Sequence, residues 1–372
     1  MNDRKWIMPI GLAVLAILTV AVAGCTQPTA TPAATPQATA TPAPTTKTIT
    51  DMNGRTLIVP SVINSVVATS PPITNVIYML APDKLMAWNS NESGVKYIPT
   101  VYANKPVVGG WFGTTTGNYE NFLAMNPDLV LEGFDSGTDP TATINDRQTH
   151  LNPIPVVAVV DSKNANNYVP EIRFLGDLLG VPEKADQLIA FYNKVYGPVN
   201  NTSAAIPADQ KKRVYYAEGP QGLQTDPSGS PHSQLIDICG GINVASVAIR
   251  AGNGMTPVNL EQVLAWNPDV IIAGDAGFYS KIYSNSSWSN VKAVRDHQVY
   301  LIPNLPLGWF DRPPGVNSII GIPWTAKVLY PDRFKDLDLK SLAKEFYANF
   351  YQYNLTDEEV TAIISGSGLK TT

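Results

Sequence analysis

Cysteine, histidine and charge are all scarce in this 372-residue chain, which has two cysteines, three histidines and 15% charged residues. One cysteine, Cys25, belongs to an N-terminal motif, so Cys239 stands alone and no internal disulfide is available. No paired Cys/His spacing of a structural zinc site occurs. His150, His232 and His297 show no metal-ligand spacing either, so no metal ligands and no covalently bound cofactor are expected. The formal net charge is −5, without the basic face that a nucleic-acid partner requires. No P-loop, dinucleotide fingerprint or Gly-x-Ser-x-Gly elbow is found. Asp226, Ser228, Ser230 and His232 contain the residue types of a hydrolase triad, but they crowd into seven positions. Triad members usually come from separated elements, so no catalytic residue is assigned and an enzyme is not expected.

What the chain does carry begins at its N-terminus. Arg4 and Lys5 precede an apolar run from Ile7 to Ala23, which ends in Val22-Ala23-Gly24-Cys25. That is the pattern of a lipoprotein signal peptide over residues 1–24, with Cys25 as the lipidated residue after cleavage. An uncut membrane anchor is the alternative, since the run sits at the lower edge of a spanning length. Both readings place the body outside the cytoplasm, held at the outer face of the cell membrane. Residues 25–47, nearly all Thr, Pro and Ala, cannot bury apolar area and read as a disordered tether.

Beyond the tether, Asp51 to Arg55 followed by Thr56 to Pro60 reads as a turn and strand. Short β-branched runs then alternate with helical stretches, among them Leu129-Val130-Leu131, Val156 to Val160, Val214-Tyr215-Tyr216, Val270-Ile271-Ile272 and Val299-Tyr300-Leu301. Such alternation predicts an α/β fold with mostly parallel sheets covered by helices. From Pro182 to Val199, Ala185, Leu188, Ile189, Tyr192, Val195 and Tyr196 form one helical stripe. Asn200 to Asp209 reads as a loop. The expected division is a first lobe over 48–166, a linking helical segment over 167–200 and a second lobe over 201–372.

Two segments echo each other 141 positions apart. Tyr119-Glu120-Asn121-Phe122-Leu123-Ala124-Met125-Asn126-Pro127-Asp128 is matched by Leu260-Glu261-Gln262-Val263-Leu264-Ala265-Trp266-Asn267-Pro268-Asp269, and each runs on into an apolar strand. Proline ends the helix and the next run enters a sheet. Two lobes of like topology follow, with a cleft between them as the place for a ligand.

These features together resemble the periplasmic-binding-protein family that serves ferric siderophore, haem and vitamin B12 importers. The resemblance rests on the Asp51 to Pro60 opening, both Asn-Pro-Asp segments, Gly240-Gly241-Ile242-Asn243-Val244-Ala245 and Val299-Tyr300-Leu301-Ile302-Pro303. It implies two Rossmann-like lobes joined by one long stiff helix. It also implies a small-molecule chelate as ligand and an ABC permease dimer with its ATPase subunits as partner. The resemblance makes Glu120 and Glu261 the acids that dock on the two-fold permease; the alternative is that each simply faces its own helix dipole. A monomer is expected.

Ligand groups should then come from loops at the carboxyl ends of the strands. That selects Ser70, Trp111, Phe112 and Phe134 from the first lobe, and Tyr216, Glu218, His232, Asp275, Trp309, Phe310 and Arg312 from the second. The aromatics offer flat faces to a large chelate, and Arg312 offers a positive charge. His232 lies between a cleft role and a place in a helix cap. A ferric siderophore is the first expectation and a corrinoid or haem the second. A surface adhesion module is the reading from another class, on the Thr/Pro stalk and the sequons at Asn91, Asn201, Asn285 and Asn354.

Overall fold

The computed structural model describes residues 45–161, 163–250 and 254–370. The signal segment, most of the tether and Cys25 lie outside the described residues. Among the described residues no helix is long and apolar enough to cross a membrane.

The body opens with a hairpin of β1 (Thr46–Thr50) and β2 (Thr56–Pro60). Thr46 and Lys47, read from sequence as tether, are already strand because they pair with Pro60 and Val59. Asp51 fixes the turn. Its buried carboxylate accepts from the main chain of Asn53 and Arg55, from the Arg55 guanidinium at 2.6 Å, and from the Ala158 N–H at 3.2 Å. One side chain thereby closes the hairpin and ties it to the first lobe.

That lobe is built on a parallel sheet in the order β3 (Val66–Ala68), β4 (Leu129–Phe134), β5 (Val156–Val160). Its strands are apolar on both faces because helices cover both, as parallel sheets require. The helix after β3 spans Pro71–Leu80. Pro71 and Pro72 occupy the first turn, where a missing N–H costs nothing.

The second lobe contains β6 (Arg213–Ala217), β7 (Gln224–Thr225), β8 (Ile242–Asn243), β9 (Thr256–Pro257), β10 (Val270–Ala273) and β11 (Val299–Leu301). Four of them form a parallel sheet in the order β11-β10-β6-β8, and β7 pairs antiparallel with β9. The echoed segments occupy equivalent places. Helices Tyr119–Met125 and Leu260–Trp266 are capped by Asn118 and Asn259 and closed by left-handed Asn126 and Asn267, and β4 and β10 follow. Asparagine tolerates that conformation better than most residues.

The lobes are joined by the 23-residue helix Pro182–Ala204. It runs five residues past its expected end at Val199, through a stretch read as loop, because Val199 and Ser203 are buried and hold that last turn against the core. Pro198 lies inside the helix and cannot donate to the carbonyl four residues earlier. The C-terminal helix Leu339–Phe350 folds back over the junction: Phe346 and Phe350 pack on Phe191, and Tyr78 of the first lobe donates to the Tyr351 carbonyl at 2.8 Å. Residues of both lobes and the joining helix thus share one apolar core. A hinge motion would have to open that core, so the groove between the lobes is held close to one shape.

Candidate functional site

Between the lobes lies a cavity of about 780 Å³. It opens at the carboxyl ends of the strands, where chain direction brings successive loops together. Pro71 follows β3, Asp135 and Ser136 follow β4, and Asp161 and Lys163 follow β5; all line it. The opposite wall is Asp226, Ser230, Pro231, His232, Ile249, Met255 and Arg312 with its two following prolines.

On the first lobe Trp111 and Phe112 supply the aromatic surface. Trp111 is held by the Arg147 guanidinium, 3.9 Å from its ring, and by Tyr119 and Phe122. Arg147 is itself oriented by Glu132 at 3.2 Å and Asp146 at 3.0 Å. The Lys163 ammonium lies 4.8 Å from the Phe112 ring and pairs with Asp135 at 2.6 Å. Asp161 accepts the Lys163 N–H at 2.9 Å, and burial pushes its carboxyl up to about 7. Gly133 lets Ser70 and Ile73 pack closely against β4 behind this corner. A side chain there would meet the Ser70 Oγ at 2.8 Å and come within 3.6 Å of Asp161.

On the second lobe Arg312 is the hub. It has a left-handed φ of 57° and is followed by a cis peptide to Pro313. Its guanidinium reaches Glu218 and Asp226, each at 2.5 Å, and Asp311 at 3.2 Å. Burial raises the Glu218 carboxyl above its ordinary range, and the Asp226 and Asp311 charges add to that. The His232 Nδ1 contacts the Asp311 carboxylate at 2.8 Å, which orients the ring at the cavity wall. Ser230 caps the short turn Pro231–Ser233, so His232 sits both in a cap and on the cleft. The Ser230 hydroxyl donates to Asp226 at 3.0 Å, while the imidazole faces Asp311. Among the described residues the Ser230 hydroxyl and the His232 ring thus bond to different carboxylates.

Gln234 ties the walls across the junction, donating to the Lys163 carbonyl at 2.7 Å and accepting from the Ala165 N–H at 2.8 Å.

Of the residues selected from sequence, Trp111, Phe112, His232 and Arg312 line the cavity. Glu218 and Tyr216 are buried and meet the cavity wall through Arg312 and Asp311. Ser70 is buried beside Gly133. Trp309 and Phe310 are core residues and not cavity walls: Trp309 is fully buried and donates to the Tyr347 hydroxyl at 3.0 Å, and Phe310 packs on Tyr216. Asp275 caps the helix Ala276–Lys281 through the Phe278 N–H, and neither it nor Phe134 lines the cavity. Asp161, Lys163 and Met255 line it and were not selected. Asp161 directly follows β5, so the strand-end rule that selected Ser70 would also have found it. Glu120 and Glu261 are both exposed in the first turns of equivalent helices.

Four similarities bear on this arrangement. Over 334 residues the chain is 27% identical to the molybdate-binding protein MolA of Haemophilus influenzae, covering 82% of this chain and 90% of the relative. Over 327 residues it is 24% identical to the uncharacterized ABC transporter substrate-binding lipoprotein YvrC of Bacillus subtilis, covering 87% and 98%. The solved ABC transporter solute binding protein of Sulfurospirillum deleyianum superposes with a TM-score of 0.79 at 29% identity, covering 86% of this chain and 99% of that one. The periplasmic binding protein family model matches residues 66–305, which include both echoed segments and most of both cavity walls. Two parallel-sheet lobes, the joining helix and the cleft at their strand ends agree with that match, and the chain belongs to the periplasmic binding protein family.

Proposed function

We propose that this protein is the extracytoplasmic solute-binding component of an ABC-type importer and that it carries a ferric siderophore or a like metal chelate to its permease. The observation that carries this reading is the interlobe cavity of about 780 Å³ with Trp111 and Phe112 on its wall. That volume lies in the range of pockets that enclose a drug-sized ligand, and flat aromatic faces suit a chelate's organic shell. The shared core beneath the cleft favours capture by a preformed site, with little ordering cost on binding. Glu120 and Glu261, exposed on equivalent helices, are the acids offered to a two-fold permease, and the lipid on Cys25 is the membrane tether.

The similarity to a molybdate-binding protein favours a second reading, in which the ligand is a tetrahedral oxyanion. Such an ion would leave most of the cavity empty, and Arg312 is already engaged by three carboxylates. Titration of the purified full chain with an iron(III) tris-hydroxamate, a corrinoid, haem and molybdate, read by tryptophan fluorescence and calorimetry, separates these readings. Saturable binding of the tris-hydroxamate supports the proposal. Saturable binding of molybdate alone would replace it with the oxyanion reading.

A further inference from the structure

The cavity's charges point to a narrower ligand class. Five carboxylates stand on its walls or directly behind them: Asp135 and Asp161 on the first lobe, and Asp226, Glu218 and Asp311 on the second. The facing cations are Lys163, Arg250 and Arg312. Lys163 is matched by Asp135, at 2.6 Å. Arg312 is outnumbered three to one by the acids it touches. Arg250 is exposed at the rim, where solvent screens it most. Even with a proton on Glu218, Asp226 and Asp311 exceed the single charge of Arg312. Asp161 is buried at the wall, and because burial favours its neutral form it adds little to the excess.

We infer that the cleft selects metal chelates by charge, preferring cationic over neutral and neutral over anionic forms, through the carboxylate excess of Asp226 and Asp311 around Arg312 in the second lobe. This rests on the chelate-capture reading and narrows it. A negative ligand entering the site would face unneutralised carboxylates in a region of reduced dielectric, where like charges repel most strongly. A ligand ammonium would be drawn by the field of Asp226 and Asp311, which lie buried in and behind the second-lobe wall. The same field speeds encounter with cations and slows it for anions.

The test uses three iron(III) tris-hydroxamates that share one coordination shell and differ only at the chain end. One ends in a free ammonium, one is acetylated to neutrality, and one is succinylated to a carboxylate. Binding to the full chain is measured by calorimetry at low and high salt. The expected order of affinity is ammonium, acetyl, succinyl, with roughly tenfold between the extremes that shrinks as salt is raised. Asp226→Asn should compress the spread. A flat or reversed order in the wild-type chain overturns the inference and leaves chelate capture standing; that arm requires no variant to fold. If none of the three binds, the tris-hydroxamate reading fails and takes this inference with it.

Discussion

Asp128 and Asp269, 141 positions apart, perform the same task in the two lobes. Asp128 accepts the N–H groups of Asn64 and Ser65 at 2.7 and 3.0 Å, just before β3; Asp269 accepts the Arg213 N–H at 2.9 Å, at the start of β6. Each carboxylate pins the opening of the neighbouring strand to the start of its own. The repeated Asn-Pro-Asp is thus a structural joint: asparagine reverses the chain, proline stops the helix, and aspartate aligns two strands. Asp128→Ala and Asp269→Ala should each lower stability by about 1–3 kcal/mol, read by thermal or denaturant unfolding. Chelate affinity should stay unchanged, because neither residue lines the cavity.

Trp111→Ala should weaken chelate binding about tenfold or more while leaving the fold intact, since it removes aromatic wall area while Arg147 keeps Glu132 and Asp146. Calorimetric titration checks it. Undiminished affinity would mean that the ligand does not use this wall.

Arg312→Ala should act on stability as well as binding. It strips the cation from Glu218, Asp226 and Asp311, whose side chains are at most 3% exposed. Removing one partner of a buried ionic network costs on the order of 3–5 kcal/mol. Adding Glu218→Gln to Arg312→Ala should recover part of that loss, which a double-mutant cycle in denaturant would measure.

Asp161 gives a pH dependence of definite sign. Its carboxyl titrates near 7 in the folded chain because burial disfavours the charge, and near the ordinary aspartate value when unfolded. The folded chain therefore holds this proton more tightly. Its contribution to stability is fully present below about pH 4 and is lost as pH rises through about 7. Asp161→Asn keeps the shape and removes the titration. Denaturant unfolding from pH 4 to 8 should show the variant gaining on the wild type as pH rises. Parallel curves would contradict this assignment.

Glu120→Ala combined with Glu261→Ala should leave chelate affinity intact, because both lie outside the cavity, and abolish uptake through the permease. Transport assays with the reconstituted importer check it. Full uptake by the double variant would remove the docking role.

Much of the architecture is legible in sequence because it depends on local pattern. The apolar runs at Val156–Val160 and Val299–Leu301 match observed strands residue for residue, since β-branched clusters between turns have few other uses. The joining helix was legible in its stripe but not in its end. Val199 and Ser203 are held by burial, which no local signal announces. The site was less legible. Trp309 and Phe310 neighbour Arg312 in sequence and sit at the end of a strand loop, yet they turn inward to Tyr347 and Tyr216. An aromatic in such a loop satisfies either core or cleft, and only the packing partner decides.

By itself the sequence determined the α/β class, the doubled topology and the approximate ring of loops from which a site had to be built. These follow from hydrophobic period, proline and asparagine punctuation and the direction of parallel strands. Tertiary structure alone decided that Arg312 is engaged by Glu218, Asp226 and Asp311 and not left as a free positive charge. Those residues come from positions as much as 94 apart, and the charge a ligand meets is a sum over space that no local pattern records.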